Sequence, residues 1–354
     1  MIADAARVLI PSVTAFMIGI ALAPVLTHYL YKFRVWKKRG GKGNGLGDAS
    51  GTPIFDSLHA ERETRTPRMG GILIWSSVLV TAGVIGLLSV FAGSFYAELN
   101  FVNRSQTWLP FAALVFGALI GLINDILDVV TPDARGLSLR VRLGVITVAA
   151  TGAAWWFYAK LGVSAVGVPF SEPLHLGLWF IPFFVLVVLA LYASGIIDGI
   201  DGLSGGVFSI IFMTYAGIAF VQHQVSLAAF AATVAGATLA FLWFNIPPAR
   251  FWMTETGSMA LTLALAITAF SADVLGDGVG VAVLPIIAFP LLATVVTTLM
   301  QVFSKKVLKR KIFRVAPIHH HFEAIGWPAT KVVMRYWVIT LIAGVLGLAV
   351  ALVA

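Results

Sequence analysis

Long apolar stretches dominate the chain, and short segments rich in charge, glycine or proline separate them. A helix needs about 20 apolar residues to cross the hydrocarbon core of a bilayer. Leu176–Ile197 and Val281–Phe303 exceed that length without one charged side chain. The pattern predicts an all-α fold of about ten transmembrane helices, near residues 8–33, 70–92, 107–128, 143–160, 177–196, 205–222, 226–246, 257–272, 281–303 and 332–354.

Composition supports a membrane protein. Of the 354 residues, 59% are hydrophobic and 11% are charged, whereas soluble domains carry about a quarter charged residues. A soluble bundle would need polar outer faces on its helices, and these stretches lack them. The absence of cysteine excludes disulfides, thiolate nucleophiles and Cys-ligated metals.

The basic residues predict the topology. The formal net charge is +8, and nineteen of the 24 Lys and Arg residues fall at 34–68, 135–142, 250 and 305–331. The positive-inside rule makes such loops cytoplasmic, so their clustering indicates topology and not nucleic-acid binding. Ten spans would put both termini outside the cytoplasm. We therefore expect a single transmembrane domain, residues 1–354, with cytoplasmic loops near 34–68, 129–142, 197–204, 247–256 and 304–331.

Ionisable and polar residues gather at the predicted cytoplasmic ends of the spans. Such residues are costly near lipid and are candidates for function. Because all of them face one side, we expect them to share one site. The groups are Asn124, Asp125 and Asp128 after the third span, Asp198 and Asp201 after the fifth, Glu255 before the eighth, and His319, His320 and His321 in the last basic loop.

Each group also has a simpler interpretation. Asp198 and Asp201 would share one face of a helix, although either could cap the following helix. Asn124 and Asp125 point about 100° apart on a helix, which favours different partners or a solvated helix end. Thr256, after Glu255, is either an ordinary N-cap or part of a helix N-terminus that binds an anion.

Carboxylates from several helices suit Mg²⁺, which prefers oxygen ligands and bridges protein acids to substrate phosphates. This chemistry points to phosphoryl transfer. Three consecutive histidines splay apart on a helix and seldom reach one zinc ion, so contact with phosphate is the favoured interpretation. The basic residues at 305–314 suit either anionic lipid headgroups or a diphosphate substrate.

Several motifs follow one another in the order of a known enzyme family. They are Thr66-Pro67 with Met69-Gly70-Gly71, Asp198-Gly199-Ile200-Asp201-Gly202-Leu203, Phe241-Leu242-Trp243-Phe244-Asn245, Thr256-Gly257-Ser258, and Ala316-Pro317-Ile318-His319-His320-His321-Phe322-Glu323. Between about 60 and 345 the chain resembles the polyprenyl-phosphate N-acetylhexosamine-1-phosphate transferases. Within that family it is most similar to the phospho-N-acetylmuramoyl-pentapeptide transferases (MraY).

The resemblance implies a ten-helix enzyme of the bacterial cytoplasmic (inner) membrane with its active site on the cytoplasmic face. Such enzymes use Mg²⁺ to transfer phospho-N-acetylmuramoyl-pentapeptide from UDP to undecaprenyl phosphate, giving lipid I and UMP. The partners implied are UDP-MurNAc-pentapeptide, undecaprenyl phosphate, membrane lipids and, by family analogy, a second copy in a homodimer.

The resemblance also implies roles for individual residues. Metal ligands would be Asp125, Asp198 and Glu255. Catalytic residues would be Asn124, Asp125, Asp198, Asp201, His319, His320 and His321, with the histidines near the phosphates or the sugar. Substrate-binding residues would be Thr66, Arg142, Gly195, Asn245 and Ser258.

Departures from the family pattern fall inside this site. Asn124 replaces an acid that is proposed to deprotonate the lipid phosphate, and Asn cannot act as a general base. A phosphate monoester is already largely ionised at neutral pH, so attack does not strictly need that base. The other departures are Gly195 for an Asn, Glu255 for an Asp, Asp128 and Arg142 for lysines, and Thr66-Pro67-Arg68, which is closer to the wider superfamily.

Three other functions remain open from the sequence. One is the same reaction with another UDP-N-acetylhexosamine. Another is a catalytically degraded homologue that binds polyprenyl phosphate or a partner, an interpretation that Asn124, Gly195 and Glu255 favour. A transporter is less consistent with the pattern, because transporters tend to have broken helices and acids near the middle of the membrane.

Overall fold

The computed structural model describes residues 2–37, 64–91, 93–103, 106–131, 136–274 and 278–354. Most of the predicted loop 34–68 lies outside these ranges. Within them the chain is helical apart from turns and one hairpin, whose two strands have two residues each. The predicted all-α membrane fold is therefore confirmed.

Thirteen α-helices lie in the described residues. They are α1 (Ile2–Lys32), α2 (Ile72–Phe91), α3 (Ser94–Leu99), α4 (Trp108–Val130), α5 (Leu139–Lys160), α6 (Phe180–Ser194), α7 (Leu203–Val221), α8 (Val225–Asn245), α9 (Thr254–Val274), α10 (Leu284–Ile287), α11 (Phe289–Phe303), α12 (Ile318–Ala324) and α13 (Ala329–Val353). The 3₁₀ turns Gly177–Trp179 and Gly195–Ile197 flank α6, and the π-helical turn Ser304–Leu308 extends α11. The antiparallel strands β1 (Ala165–Val166) and β2 (Leu174–His175) connect α5 to the turn before α6.

Nine helices of the described residues are long and apolar enough to cross a membrane, and each matches a predicted span. The remaining predicted span, 143–160, is α5. It has 22 residues, so its length suffices. It is less apolar than the other nine helices, because it carries Arg142 near its start, Trp155 and Trp156 in its last turns, and Lys160 at its end.

Contacts at its two ends indicate that α5 crosses the membrane as well. Its first turn bonds to the start of α9, where Arg142 donates to Glu255. Just beyond its other end, the Gly167 amide donates to Asp273 in the last turn of α9, at 3.1 Å. The two ends of α5 thus lie at the same depths as the two ends of α9, which are about 30 Å apart for 21 residues. With α5, the described part of the chain contains ten helices long enough to cross a membrane, and the side on which the termini lie stays a prediction.

Helix α9 forms the centre of the bundle. Nearly all its residues are buried, against α4, α6, α7 and α8. The outer helices instead expose large apolar side chains, and Leu87, Val148, Leu186 and Leu299 are each more than 60% exposed. Such a surface suits a hydrocarbon solvent, in which the backbone polar groups are satisfied inside the helices.

Glycines let the neighbouring helices approach α9 closely. A Cβ atom at Gly121 of α4 would lie 2.1 Å from the Glu255 carbonyl oxygen, and one at Gly117 would lie 2.5 Å from that of Met259. Just before α2, a Cβ atom at Gly71 would lie 2.2 Å from the Gly257 nitrogen. Small residues at helix interfaces permit this approach, and here they position the cytoplasmic ends of the helices.

We predict that Gly121→Ala pushes α4 away from α9. The added methyl group meets backbone that cannot give way, so the expected destabilisation is about 1–3 kcal/mol. Thermal unfolding of the purified protein in detergent measures it as a lower melting temperature. Gly86→Ala in α2 is the matched control, since no atom lies within 4 Å of the added Cβ atom; equal melting temperatures for the two variants would contradict the packing argument.

Candidate active site

Acidic side chains from separate helices meet at the first turn of α9. Asp125 Oδ2, at the end of α4, accepts hydrogen bonds from Thr254 Oγ1 (2.5 Å), Thr256 Oγ1 (2.6 Å) and the Thr256 amide (2.8 Å). Asp198 Oδ2, after α6, accepts from the Thr254 amide at 2.8 Å. Glu255 lies between the two threonines. Of the three predicted metal ligands, Asp125 and Asp198 therefore meet at Thr254, while Glu255 pairs with Arg142 in the same turn.

Thr254, which joins Asp125 to Asp198, has a strained backbone. Its φ is +53°, and Met69, whose amide donates to Thr254 Oγ1 at 3.1 Å, has a φ of +66°. A β-branched residue in the left-handed region is an outlier, and such strain gathers at functional sites where surrounding contacts hold it in place. Sequence reasoning missed Thr254, because its hydroxyl looks like any helix cap.

The segment before α2 is bound to the segment before α9. The Trp252 amide donates to the Pro67 carbonyl (2.9 Å), the Gly70 amide to the Trp252 carbonyl (2.7 Å), and the Gly71 amide to the Met253 carbonyl (3.1 Å). These bonds fix the residue that follows Pro67, Arg68, beside the acids. Thr66 is partly exposed at the edge of the same segment.

Two arginines pair with the acids. Arg68 Nη2 lies 3.0 Å from Asp128 Oδ2 and 3.8 Å from Asp125 Oδ1. Arg142 Nη1 donates to Glu255 Oε1. With Asp198 and Asp201, the cluster holds five carboxyl groups and two guanidinium groups, and carboxyl oxygens are the ligands that hard cations prefer.

Asp201 and Asn245 link the loops around the site. Asp201 accepts from Trp252 Nε1 at 3.0 Å and from the Ala249 amide at 3.2 Å. The buried Asn245 accepts from the Gly202 amide and donates to the Phe251 carbonyl, both at 2.9 Å. These contacts tie the loop after α6 to the loop after α8. The roles of both residues toward a substrate stay predictions.

Gly195 allows the end of α6 to reach α9. A Cβ atom at Gly195 would lie 3.3 Å from Ser258 Oγ, and the turn from Gly195 to Ile197 then leads to Asp198. Burial raises the pKa of the Asp198 carboxyl, and its hydrogen bonds from Ser204 and Thr254 oppose that rise. Gly195 and Ser258 thus help to position the acid.

Two of the three histidines reach the loop that carries the acids. The Nε2 atoms of His319 and His320 would each lie 2.6 Å from a Cβ atom at Gly199. His320 Nδ1 also shares a 2.7 Å hydrogen bond with Glu323 Oε2. A side chain at Gly199 would push α12 away, so this glycine brings the histidines near Asp198.

His321 faces away from that loop. Its Nδ1 accepts from the Arg314 amide at 3.1 Å, and its ring packs edge-on against Phe313. Burial lowers the pKa of the His321 imidazole, and the charge of Arg314 lowers it further. The divergence agrees with the expectation that adjacent residues on a helix splay apart.

Asn124 also points away from the start of α9. Its Oδ1 accepts from the Leu137 amide at 2.9 Å, which ties the end of α4 to the loop before α5. Asn124 and Asp125 therefore bind different partners, as their angular separation predicts. The catalytic role proposed for Asn124 stays a prediction.

Asp125 has one carboxylate oxygen that a divalent cation could bind. Asp125 Oδ1 is buried and has no hydrogen-bond donor among the described residues. No group of three His, Cys, Asp or Glu side chains is arranged to hold a metal in the described ranges. Mg²⁺ is usually bound by only one or two carboxylates, together with substrate phosphates and water. Asp125, with Asp198 beside it, meets that requirement.

We predict that Thr256→Val destabilises the protein, because the buried Asp125 carboxylate loses a donor at a cost of about 1.5–3 kcal/mol. Thr262→Val is the matched control. Thr262 is equally buried in α9, but its hydroxyl bonds only to helix carbonyls at Ser258 and Met259. Melting temperatures in detergent should fall for the first variant alone, and an equal fall in both would contradict the proposed support of Asp125.

Comparison with known proteins identifies relatives over most of the chain. The model of glycosyl transferase family 4 matches residues 107–273. Phospho-N-acetylmuramoyl-pentapeptide-transferase of Chloroflexus aurantiacus is 32% identical over 304 residues, which cover 81% of this chain and 77% of the relative. The enzyme of that name from Chloroflexus aggregans is 29% identical, and the match covers 100% of this chain and 92% of the relative. The one from Clostridium beijerinckii is also 29% identical, and the match covers 96% of this chain and 95% of the relative.

Proposed function

The chain belongs to the phospho-N-acetylmuramoyl-pentapeptide-transferase family of phosphosugar transferases, and from that premise we propose that it makes lipid I. In the proposed reaction the phosphate of undecaprenyl phosphate attacks the β-phosphate of UDP-MurNAc-pentapeptide. The bond from the β-phosphorus to the bridging oxygen breaks, and UMP leaves.

The convergence of Asp125 and Asp198 on Thr254 is the observation that carries this proposal. It puts acids from α4 and the loop after α6 at the end of the membrane layer, where a lipid phosphate can meet a water-soluble nucleotide. Phosphoryl transfer depends mainly on positioning and on neutralising charge. A cluster that combines carboxylates, guanidinium groups and two nearby histidines has the groups for both tasks.

We propose that Mg²⁺ binds at Asp125 Oδ1 with Asp198 beside it. When bound, the ion would neutralise charge on the phosphate oxygens. The chain's own residues do the rest of the work. Thr254 and Thr256 hold Asp125 in place, and Arg142 carries a positive charge to the same edge of the site. His319 and His320 lie across the loop from Asp198, where they would contact the phosphates or the sugar.

An apolar cavity supports a prenyl acceptor. It has a volume of about 300 Å³ and lies between α4, α5, α6 and α9. Its lining includes Phe116, Ile146, Trp156, Val188 and Leu263. On α4 and α9 the lining residues nearest to the acids are Phe116 and Leu263, which lie about 12–14 Å along the helices from Asp125 and Glu255. We propose that part of the acceptor's hydrocarbon chain occupies it while the phosphate reaches Asp125.

We also propose that the site faces the cytoplasm of a bacterium, at its inner membrane. Arg68, Arg142, Arg314 and Lys331 all lie at the same end of the bundle as Asp125, and the positive-inside rule assigns such an end to the cytoplasm. UDP-linked precursors are found on that side. A homodimer stays a prediction from family analogy.

A transfer assay tests the function. Purified protein with UDP-MurNAc-pentapeptide, undecaprenyl phosphate and Mg²⁺ should release UMP, and chelation of the metal should abolish release. Asp198→Asn should lower the rate roughly 100-fold, as the loss of one preorganised charge does elsewhere.

Other outcomes favour the alternatives. UMP release from UDP-N-acetylglucosamine alone would indicate a different sugar specificity. Release no higher than that of Asp198→Asn with either nucleotide would indicate a homologue that binds without turnover.

A further inference from the structure

We propose that Arg68 is a phosphate-binding residue that takes an oxygen of the nucleotide diphosphate beside the acidic cluster. The identity of the ligand rests on the proposed function. Arg68 stands where this chain departs from the family motif, and its side chain lies beside two acids of the cluster.

Arg68 is held rigidly at the site. Its amide donates to the Val35 carbonyl at 2.7 Å, and Nη2 pairs with Asp128 at 3.0 Å. Its side chain is 14% exposed. The second carboxylate, Asp125 Oδ1, lies 3.8 Å away and has no hydrogen bond of its own among the described residues. Arg68 therefore borders the position proposed for the metal.

The guanidinium group has unused donors. It carries five N–H groups in a planar fork, yet its ion pairs with described residues engage Nη2 alone. Nε is buried and has no acceptor among the described residues. Arg142 is similar, because Nη1 pairs with Glu255 while no acceptor for Nε lies in the part of the chain that the structure describes. Buried charged groups normally have their hydrogen bonds satisfied, so both forks are suited to an additional anion.

A diphosphate fits this need. It offers several oxygens, and guanidinium groups bind phosphate through two parallel hydrogen bonds. Arg68 approaches Asp125 from the segment before α2, and Arg142 approaches Glu255 from the start of α5, so the two forks enter the acidic cluster from different elements. Asp128 anchors Arg68 by one nitrogen and leaves the rest of the fork for the ligand.

Calorimetric titration of the purified full-length protein with UDP and with uridine tests the role of Arg68. Arg68→Ala should weaken binding of UDP by roughly 10-fold to 100-fold, the loss expected for charge-assisted hydrogen bonds. Binding of uridine should not change, because uridine has no phosphate. Lys160→Ala is the control, since it removes an exposed positive charge at the far end of α5. Unchanged affinity of Arg68→Ala for UDP would overturn the proposal.

A second variant covers the case in which Arg68→Ala fails to fold. Arg68→Met with Asp128→Asn removes both charges of the pair, so that this pair leaves no unpartnered charge. The double variant should keep its melting temperature within a few degrees and still lose affinity for UDP. Asp128→Asn alone should retain UDP binding, because Arg68 remains. If a folded double variant binds UDP with full affinity, Arg68 does not bind phosphate and serves only as a counter-ion for the acids.

The transfer assay separates this inference from the proposed function. If UMP release fails but UDP binding depends on Arg68, the phosphate-binding role stands and the reaction does not. If Arg68→Ala transfers with an unchanged KM for UDP-MurNAc-pentapeptide, the reaction stands and the role of Arg68 is wrong.

Discussion

The pairing of Thr254 with two carboxylates from different parts of the chain is the interaction on which the site depends. Its hydroxyl donates to Asp125 and its amide donates to Asp198. One residue thus joins the end of α4, the loop after α6 and the start of α9. The two acids and the Met69 amide hold the strained backbone at Thr254 in place, and Thr254 in turn bridges the two acids.

The membrane bundle makes this pairing possible. Helix α9 is almost wholly buried, so its first turn is presented at a fixed depth to every neighbouring helix. Gly121 and Gly71 bring α4 and the segment before α2 into backbone contact with that turn. Gly199 lets the side chains of His319 and His320 approach the loop that carries Asp198. Glycine at these contacts sets the distances between side chains that carry the chemistry.

Much of the fold could be predicted, because long apolar runs are a strong signal and lipid leaves few alternatives to a spanning helix. The sequence also predicted that Asp125, Asp198 and Glu255 lie on the same side of the membrane, because successive loops alternate between its two sides. Contacts that join distant segments could not be predicted. Nothing in the sequence pairs Arg68, which precedes α2, with Asp128, which lies near the end of α4. Nothing in it shows that Thr254 bridges two acids. The pair gives a physical reason for an acid where the family pattern has a lysine, since Asp128 anchors a cation that comes from another segment.

The most direct test of the account is the position of the metal. A crystal structure of the purified protein with Mn²⁺ in place of Mg²⁺ and with UDP would locate the ion by its anomalous scattering. We expect one anomalous peak, within bonding distance of Asp125 Oδ1 and beside Asp198. A peak bound elsewhere, or Asp125 and Asp198 bordering separate clefts, would contradict it.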